Sequence, residues 1–189
     1  MNKKTVFKFI AAVLCCFLFG CAAVLVIHLY DSHFDMPEKL EGGQTIDFSA
    51  YGFALTVPDD YALNDYTSNN FAEGGDALFA GCAYGSGNEL YIYCYDNPQD
   101  DALADYSEQS LVSHYMTAGA QEVRMRTLGE RPFICYRAQV SAQDGIETWD
   151  TYETWDNDFH LVFETRMNPW DVLPILQTIT FTQSVPSAE

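Results

Sequence analysis

An imidazole held beside a carboxylate can move a proton, and this chain offers one such pair. His160 follows the turn signal Asp156-Asn157. Pairing of the strands around that turn sets it across from Trp155 or from Glu153, depending on register. A Glu–His pair at such a place is more often a surface cross-strand pair than a base. There is no GxSxG segment to supply a nucleophile. His114 falls at the apolar spacing of a helix, which favours a core histidine, and His33 lies in a polar stretch. No catalytic residue is expected, and a small hydrolase built around His160 ranks third among the functional readings.

Carboxylates in pairs suggest a second chemistry, cation binding. The sharpest clusters are Asp59-Asp60, Asp100-Asp101 and Asp156 with Asp158. A helix start at Asn97-Pro98 explains the second, and a hairpin turn explains the third. Asp59, Asp60 and Asp65 are left, in a stretch from Asp59 to Gly75 that reads as a long acidic loop. They are the candidate metal ligands. No cysteine–histidine spacing calls for zinc, and no cofactor is expected. Three cysteines, Cys82, Cys94 and Cys135, follow the N-terminal region, an odd number that precludes a fully paired set. A tight turn at Ser86-Gly87 would set Tyr91 opposite Cys82 and turn Cys94 to the other face. Buried thiols are expected, with a single bridge to Cys135 as the alternative.

Aromatic rings provide a third chemistry. Tyr91, Tyr93 and Tyr95 alternate along one strand, opposite in sense to Leu90, Ile92 and Cys94. Trp149 and Trp155 share a face of another. On an open face these rings, with His160, make a glycan or peptide platform. Under a covering helix they are core, which is the expectation.

The elements that must position these groups follow from punctuation and period. Short strands at Ile46–Phe48 and Phe53–Val57 end at Pro58. A hairpin joins Ala77–Tyr84 to Glu89–Tyr95. A helix is expected from Asn97-Pro98 to Gly119, then a meander over Glu122–Leu128, Pro132–Ser141, Ile146–Trp155 and Phe159–Met167. Asn168-Pro169 opens a short closing helix that leads into Ile179–Thr182. The fold class is α+β, mostly an antiparallel β-sheet with flanking helices.

Ahead of this domain, Lys3, Lys4 and Lys8 precede an apolar run from Phe9 to Tyr30. As a helix that run is roughly 33 Å long, enough to cross a bilayer core of about 30 Å. We read residues 1–8 as a cytoplasmic tail and 9–30 as a transmembrane signal anchor. Residues 31–45 read as a linker, 46–182 as an extracellular domain, and 183–189 as a flexible tail. Leu18-Phe19-Gly20-Cys21 has the shape of a lipobox with Cys21 as the lipidated residue, but the apolar run continues past it, which favours a retained anchor. All 27 acidic residues but only six of the nine basic ones follow Tyr30, which makes that portion −21. Such a field excludes nucleic acid as a partner and attracts cations or a basic surface.

Gly52-Phe53-Ala54-Leu55-Thr56-Val57-Pro58-Asp59-Asp60-Tyr61 resembles the opening strand of PsbP-like domains, and Leu176-Gln177-Thr178-Ile179-Thr180-Phe181 resembles their closing helix and strand. The resemblance spans Ile46 to Thr182. It implies an αβα sandwich acting as a non-catalytic binding or assembly domain, and it carries over no catalytic residue. The leading expectation is therefore a membrane-anchored module that binds a protein or cell-envelope partner. The second is a cation- or small-ligand-binding module using the acidic 59–75 loop.

Overall fold

The computed structural model describes residues 37–67, 77–142 and 145–182. The 9–30 anchor, Cys21, the second half of the acidic loop and the 183–189 tail lie outside the described residues. Among the described residues, no helix is long and apolar enough to cross a membrane.

Among the described residues, ten strands form two antiparallel sheets. The smaller has the order β1 (Gln44–Phe48), β2 (Phe53–Val57), β10 (Thr180–Phe181). The larger combines β3 (Ala62–Asp65), β4 (Ala77–Gly85), β5 (Asn88–Asp96), β6 (Gln121–Leu128), β7 (Arg131–Ala142), β8 (Gly145–Trp155) and β9 (Phe159–Thr165). Their order in the sheet is β3-β4-β5-β9-β8-β7-β6. Among the described residues, two α-helices accompany them, α1 (Glu108–Thr117) and α2 (Pro169–Leu176). This is an α+β fold with a mostly antiparallel sheet.

The period-2 pattern decides which face of each strand is buried. In β2, Phe53, Leu55 and Val57 point inward; in β5, Leu90, Ile92 and Cys94 do. The two sheets meet on these inward rings. Phe53 stacks on Phe48 with centroids 4.6 Å apart and meets the edge of Phe163 at 6.3 Å; Phe163 also contacts Phe133 at 6.2 Å. Helix α2 closes this side with Val172, Leu173, Ile175 and Leu176 buried. Its cap is as expected: Asn168 Oδ1 accepts from the Trp170 amide at 3.0 Å, with Pro169 in the first turn. Leu40 donates to the Pro174 carbonyl and the Gln177 amide to that of Pro37, so the chain from Pro37 onward is already tied to the domain.

The β4–β5 hairpin turns at Ser86 and Gly87, both left-handed (φ 50° and 79°), a pairing that matches the twist of the strands. Cys82 lies opposite Tyr91 and Cys94 opposite Phe79, so the two thiols face opposite sides as expected. Cys82, Cys94 and Cys135 are free and buried. Burial pushes the Cys82 thiol up to about 11 and those of Cys94 and Cys135 up to about 12. Because only the thiolate is reactive, iodoacetamide at pH 8 is expected to modify these three residues only after unfolding. Peptide mapping checks this; labelling of Cys82 in the native state would contradict it.

Two expectations are corrected. The Asp59–Gly75 segment is not loop throughout, because Ala62–Asp65 adds to the free edge of β4 as β3. The long helix does not begin at Asn97. The Asn97 side-chain amide instead donates to the Asp101 carbonyl at 2.6 Å and to the Asp156 carbonyl, pinning the following loop to the β8–β9 turn. Helix α1 starts only after Ser107, whose hydroxyl accepts from the Ser110 amide. Ten residues make a helix roughly 15 Å long. Leu111, with Leu103 and Ile134, seals one end of the outer face of the large sheet, against Tyr115, Val123, Met125, Tyr136 and Trp155. The other end of that face is not under the helix.

Candidate functional site

Strand register places the sequence-flagged aromatics on this outer face. Tyr91 pairs with Glu164, Tyr93 with Val162 and Tyr95 with His160 across β5 and β9; Glu153 pairs with Val162 and Trp155 with His160 across β9 and β8. The tyrosines are half-buried, not core. The short α1 leaves their part of the face in an open groove of about 480 Å³ lined by the three tyrosines, Trp149, Val140, Val162, Glu147 and Glu164. Tyr91 and Trp149 meet edge to face at 5.5 Å, and Tyr93 stacks on Tyr95 at 6.3 Å. Arg166 lies 4.9 Å above the Trp149 ring, with its guanidinium 3.4 Å from Glu147 and 3.9 Å from Glu89. The rim thus already holds one cation between an aromatic ring and two carboxylates. Burial, with Glu89 adding, pushes the Tyr91 hydroxyl up to about 12; burial and Glu164 raise Tyr93 as well. Both therefore stay neutral hydrogen-bonding groups at ordinary pH.

At the covered end of the face, side chains converge on Glu153. His160 Nε2 lies 2.9 Å from Oε2, the Tyr115 hydroxyl donates to Oε2 at 2.9 Å, and the Tyr136 hydroxyl donates to Oε1. The register is the one that sets His160 directly opposite Trp155; Glu153 pairs with Val162, and His160 reaches it along the diagonal. Burial alone would raise the Glu153 carboxyl; the hydrogen bonds from His160 and Tyr136, the His160 charge and the Tyr115 bond outweigh it and hold the group below its ordinary range. An ionised Glu153 needs a donor at Nε2, so His160 presents its Nε2–H to the carboxylate. The pair has the parts of a base, but its carboxylate is committed to three donors inside the fold.

The candidate cation ligands are separated. Asp60 accepts from the Ser86 hydroxyl, and Asp65 accepts from the Thr67 amide at 2.8 Å, bonds to Thr67 lowering its carboxyl. Strand β3 runs between them, and Asp59 is exposed at the preceding turn. Among the described residues, no group of three or more His, Cys, Asp or Glu side chains is placed to hold a metal ion. His114 is exposed, not core, with its ring edge-on to Tyr115 at 5.6 Å.

Sequence reasoning missed Tyr115 and Tyr136 as partners of Glu153, and Asp96, Asp101 and Tyr106 as neighbours of Trp155. The helical spacing of Tyr115 on the face shared with Leu111 was the one available signal.

No protein-family model matches the chain, and no curated protein sequence matches it. Its fold is similar to the crystal structure of a protein from Bacteroides thetaiotaomicron VPI-5482, with a TM-score of 0.51 and 12% identity. That match covers 76% of this chain and 50% of the other, so the chain spans about half the length of the structure it resembles.

Proposed function

We propose that this chain is a membrane-anchored, non-catalytic binding module. Residues 9–30 span the membrane, residues 46–182 stand outside the cell as a PsbP-like αβα domain, and the open outer face of the large sheet contacts a protein or cell-envelope partner. The observation that carries this reading is the uncovered groove of Tyr91, Tyr93, Tyr95 and Trp149. Large rings half-exposed on a rigid sheet provide contact area at low entropic cost, which is why tyrosine and tryptophan dominate binding hot spots. The hydrogen bonds that hold Glu153 in place support a structural role for the Glu153–His160 pair over a catalytic one.

The test is crosslinking in cells with the full-length protein, followed by capture and quantitative mass spectrometry, for the parent and for the double variant Tyr91→Ala, Trp149→Ala. One hot-spot aromatic at about 2 kcal/mol predicts roughly a thirtyfold loss of affinity, and two together up to about several hundredfold, read as a loss of partner recovery. Circular dichroism and melting should be little changed, because both rings are partly exposed. Undiminished recovery by a folded double variant would remove the groove as the contact surface.

A further inference from the structure

Beyond the groove lies a second concavity, bounded by the 97–106 loop, α1 and the β8–β9 end of the sheet. Its volume is about 670 Å³, within the range of small-ligand sites. Its walls are aromatic: Tyr106 and Trp155 meet at 6.0 Å, Trp155 and His160 at 5.6 Å, and Tyr115 completes the lining. The polar ends of Tyr115, His160 and Tyr106 are already engaged. Tyr115 and His160 both point a polar atom at Glu153, and the Tyr106 hydroxyl donates to Asp101 at 2.9 Å. What Tyr106 and Tyr115 offer a ligand is therefore ring surface, not a free hydroxyl.

Asp96 and Asp101 line this cleft together with His114 and His160, and no lysine or arginine does. His160 is turned through Nε2 to the Glu153 carboxylate, so any charge it carries is matched there. The Asp96 carboxylate makes no hydrogen bond or ion pair among the described residues. Aromatic faces and two carboxylates with no lysine or arginine beside them are complementary to a weakly hydrated positive charge. The −21 field of the residues after Tyr30 raises the local concentration of any cation. Calcium or magnesium needs six or more oxygen ligands and is poorly served here, and among the described residues no three His, Cys, Asp or Glu side chains are grouped to hold a metal; an anion is repelled.

We propose that the Asp96–Asp101–Tyr106–Trp155 cleft binds an organic monocation, an ammonium or trimethylammonium group on a compact apolar body. The same chemistry is available from a free small amine or from a lysine side chain of another protein. This site is independent of whether a macromolecule docks on the groove.

The test is calorimetric titration of the full-length protein in mild detergent with choline, with its neutral isostere 3,3-dimethylbutan-1-ol, and with Nα-acetyl-lysine amide alone and within a short peptide. Saturable binding of a cation is expected, with the isostere at least about tenfold weaker. The double variant Asp96→Asn, Asp101→Asn should weaken choline binding about tenfold, as should Tyr106→Leu, a single change at an exposed ring that keeps the fold. Tighter binding of the lysine peptide than of choline would assign a protein side chain as the source; the reverse would assign a free amine. The proposal is overturned if choline and the isostere bind equally. It is also overturned if neither cation saturates by about 10 mM, or if both folded variants bind choline as tightly as the parent.

Discussion

Replacing Glu153 with alanine is expected to destabilise the fold by about 3–5 kcal/mol, the range for breaking a buried charged network by removing one member. The variant strips the acceptor from three donors at once, the hydroxyls of Tyr115 and Tyr136 and the Nε2–H of His160. Each buried donor left unpaired costs about 1–3 kcal/mol, and water entering from the cleft offsets only part of that. Glu153→Gln should be milder, since one oxygen still accepts, but its amide then points hydrogens at donors. The same carboxyl is expected to shape the acid limb of stability. Its pKa in the fold lies below the ordinary 4.5. The stabilisation it contributes is therefore fully present above pH 4.5 and is lost as pH falls through the lowered value. Urea unfolding measured at pH 7 and at steps below 4.5 checks both statements. The acid slope should shrink in Glu153→Gln relative to the parent; equal slopes would mean the carboxyl is not held ionised.

Phe163→Ala is expected to cost about 3–5 kcal/mol, the range for emptying a large aromatic site in a packed core. Phe163 is fully buried and is the ring on the large sheet that touches both Phe53 of the small sheet and Phe133 two strands away. Its loss leaves a cavity where the two sheets are joined, and backbone on both sides is held by strand pairing, so collapse to fill it is limited. Phe163→Leu, which keeps most of the volume, should cost about 1.5 kcal/mol or less. Denaturant titration at unchanged m-value separates this from a change in the unfolded state. A cost under about 1 kcal/mol for Phe163→Ala would mean the sheets do not depend on this contact.

Most of the strand order was legible because turns announce themselves. Ser86-Gly87, Gly129-Glu130 and Asp156-Asn157 each closed a hairpin near its expected place, and the first of them fixed which cysteine faces Tyr91. Strand β3 was not legible, because Ala62-Leu63-Asn64-Asp65 has no apolar alternation; it is a strand by virtue of the β4 edge it joins. The start of α1 was misread because Asn97-Pro98 and Ser107 are both good caps. Tertiary contact settled between them, with the Asn97 amide drawn across to the Asp156 carbonyl. That displacement had the largest consequence for the site. The observed helix packs at the Trp155 end of the face and leaves the groove of Tyr91, Tyr93 and Trp149 uncovered. Whether an aromatic face is core or platform depends on what lies above it, which the alternation of the strand itself does not encode. The meeting of Tyr115 and Tyr136 on Glu153 was hidden for the same reason, since residues on three separate elements converge there.

The small sheet has a consequence for how the chain acquires its shape. Its middle strand, β2, is made early in synthesis, yet its partner β10 is near the end of the described chain, and the Thr178 hydroxyl that accepts from the Thr56 amide lies 122 residues downstream. Contacts of such high order make folding slow. Until β10 has emerged, Phe53, Leu55 and Val57 sit on a strand with one edge bare. A nascent or C-terminally truncated chain thus presents an apolar strand edge, the kind of feature that holding chaperones capture and that seeds aggregation when they do not.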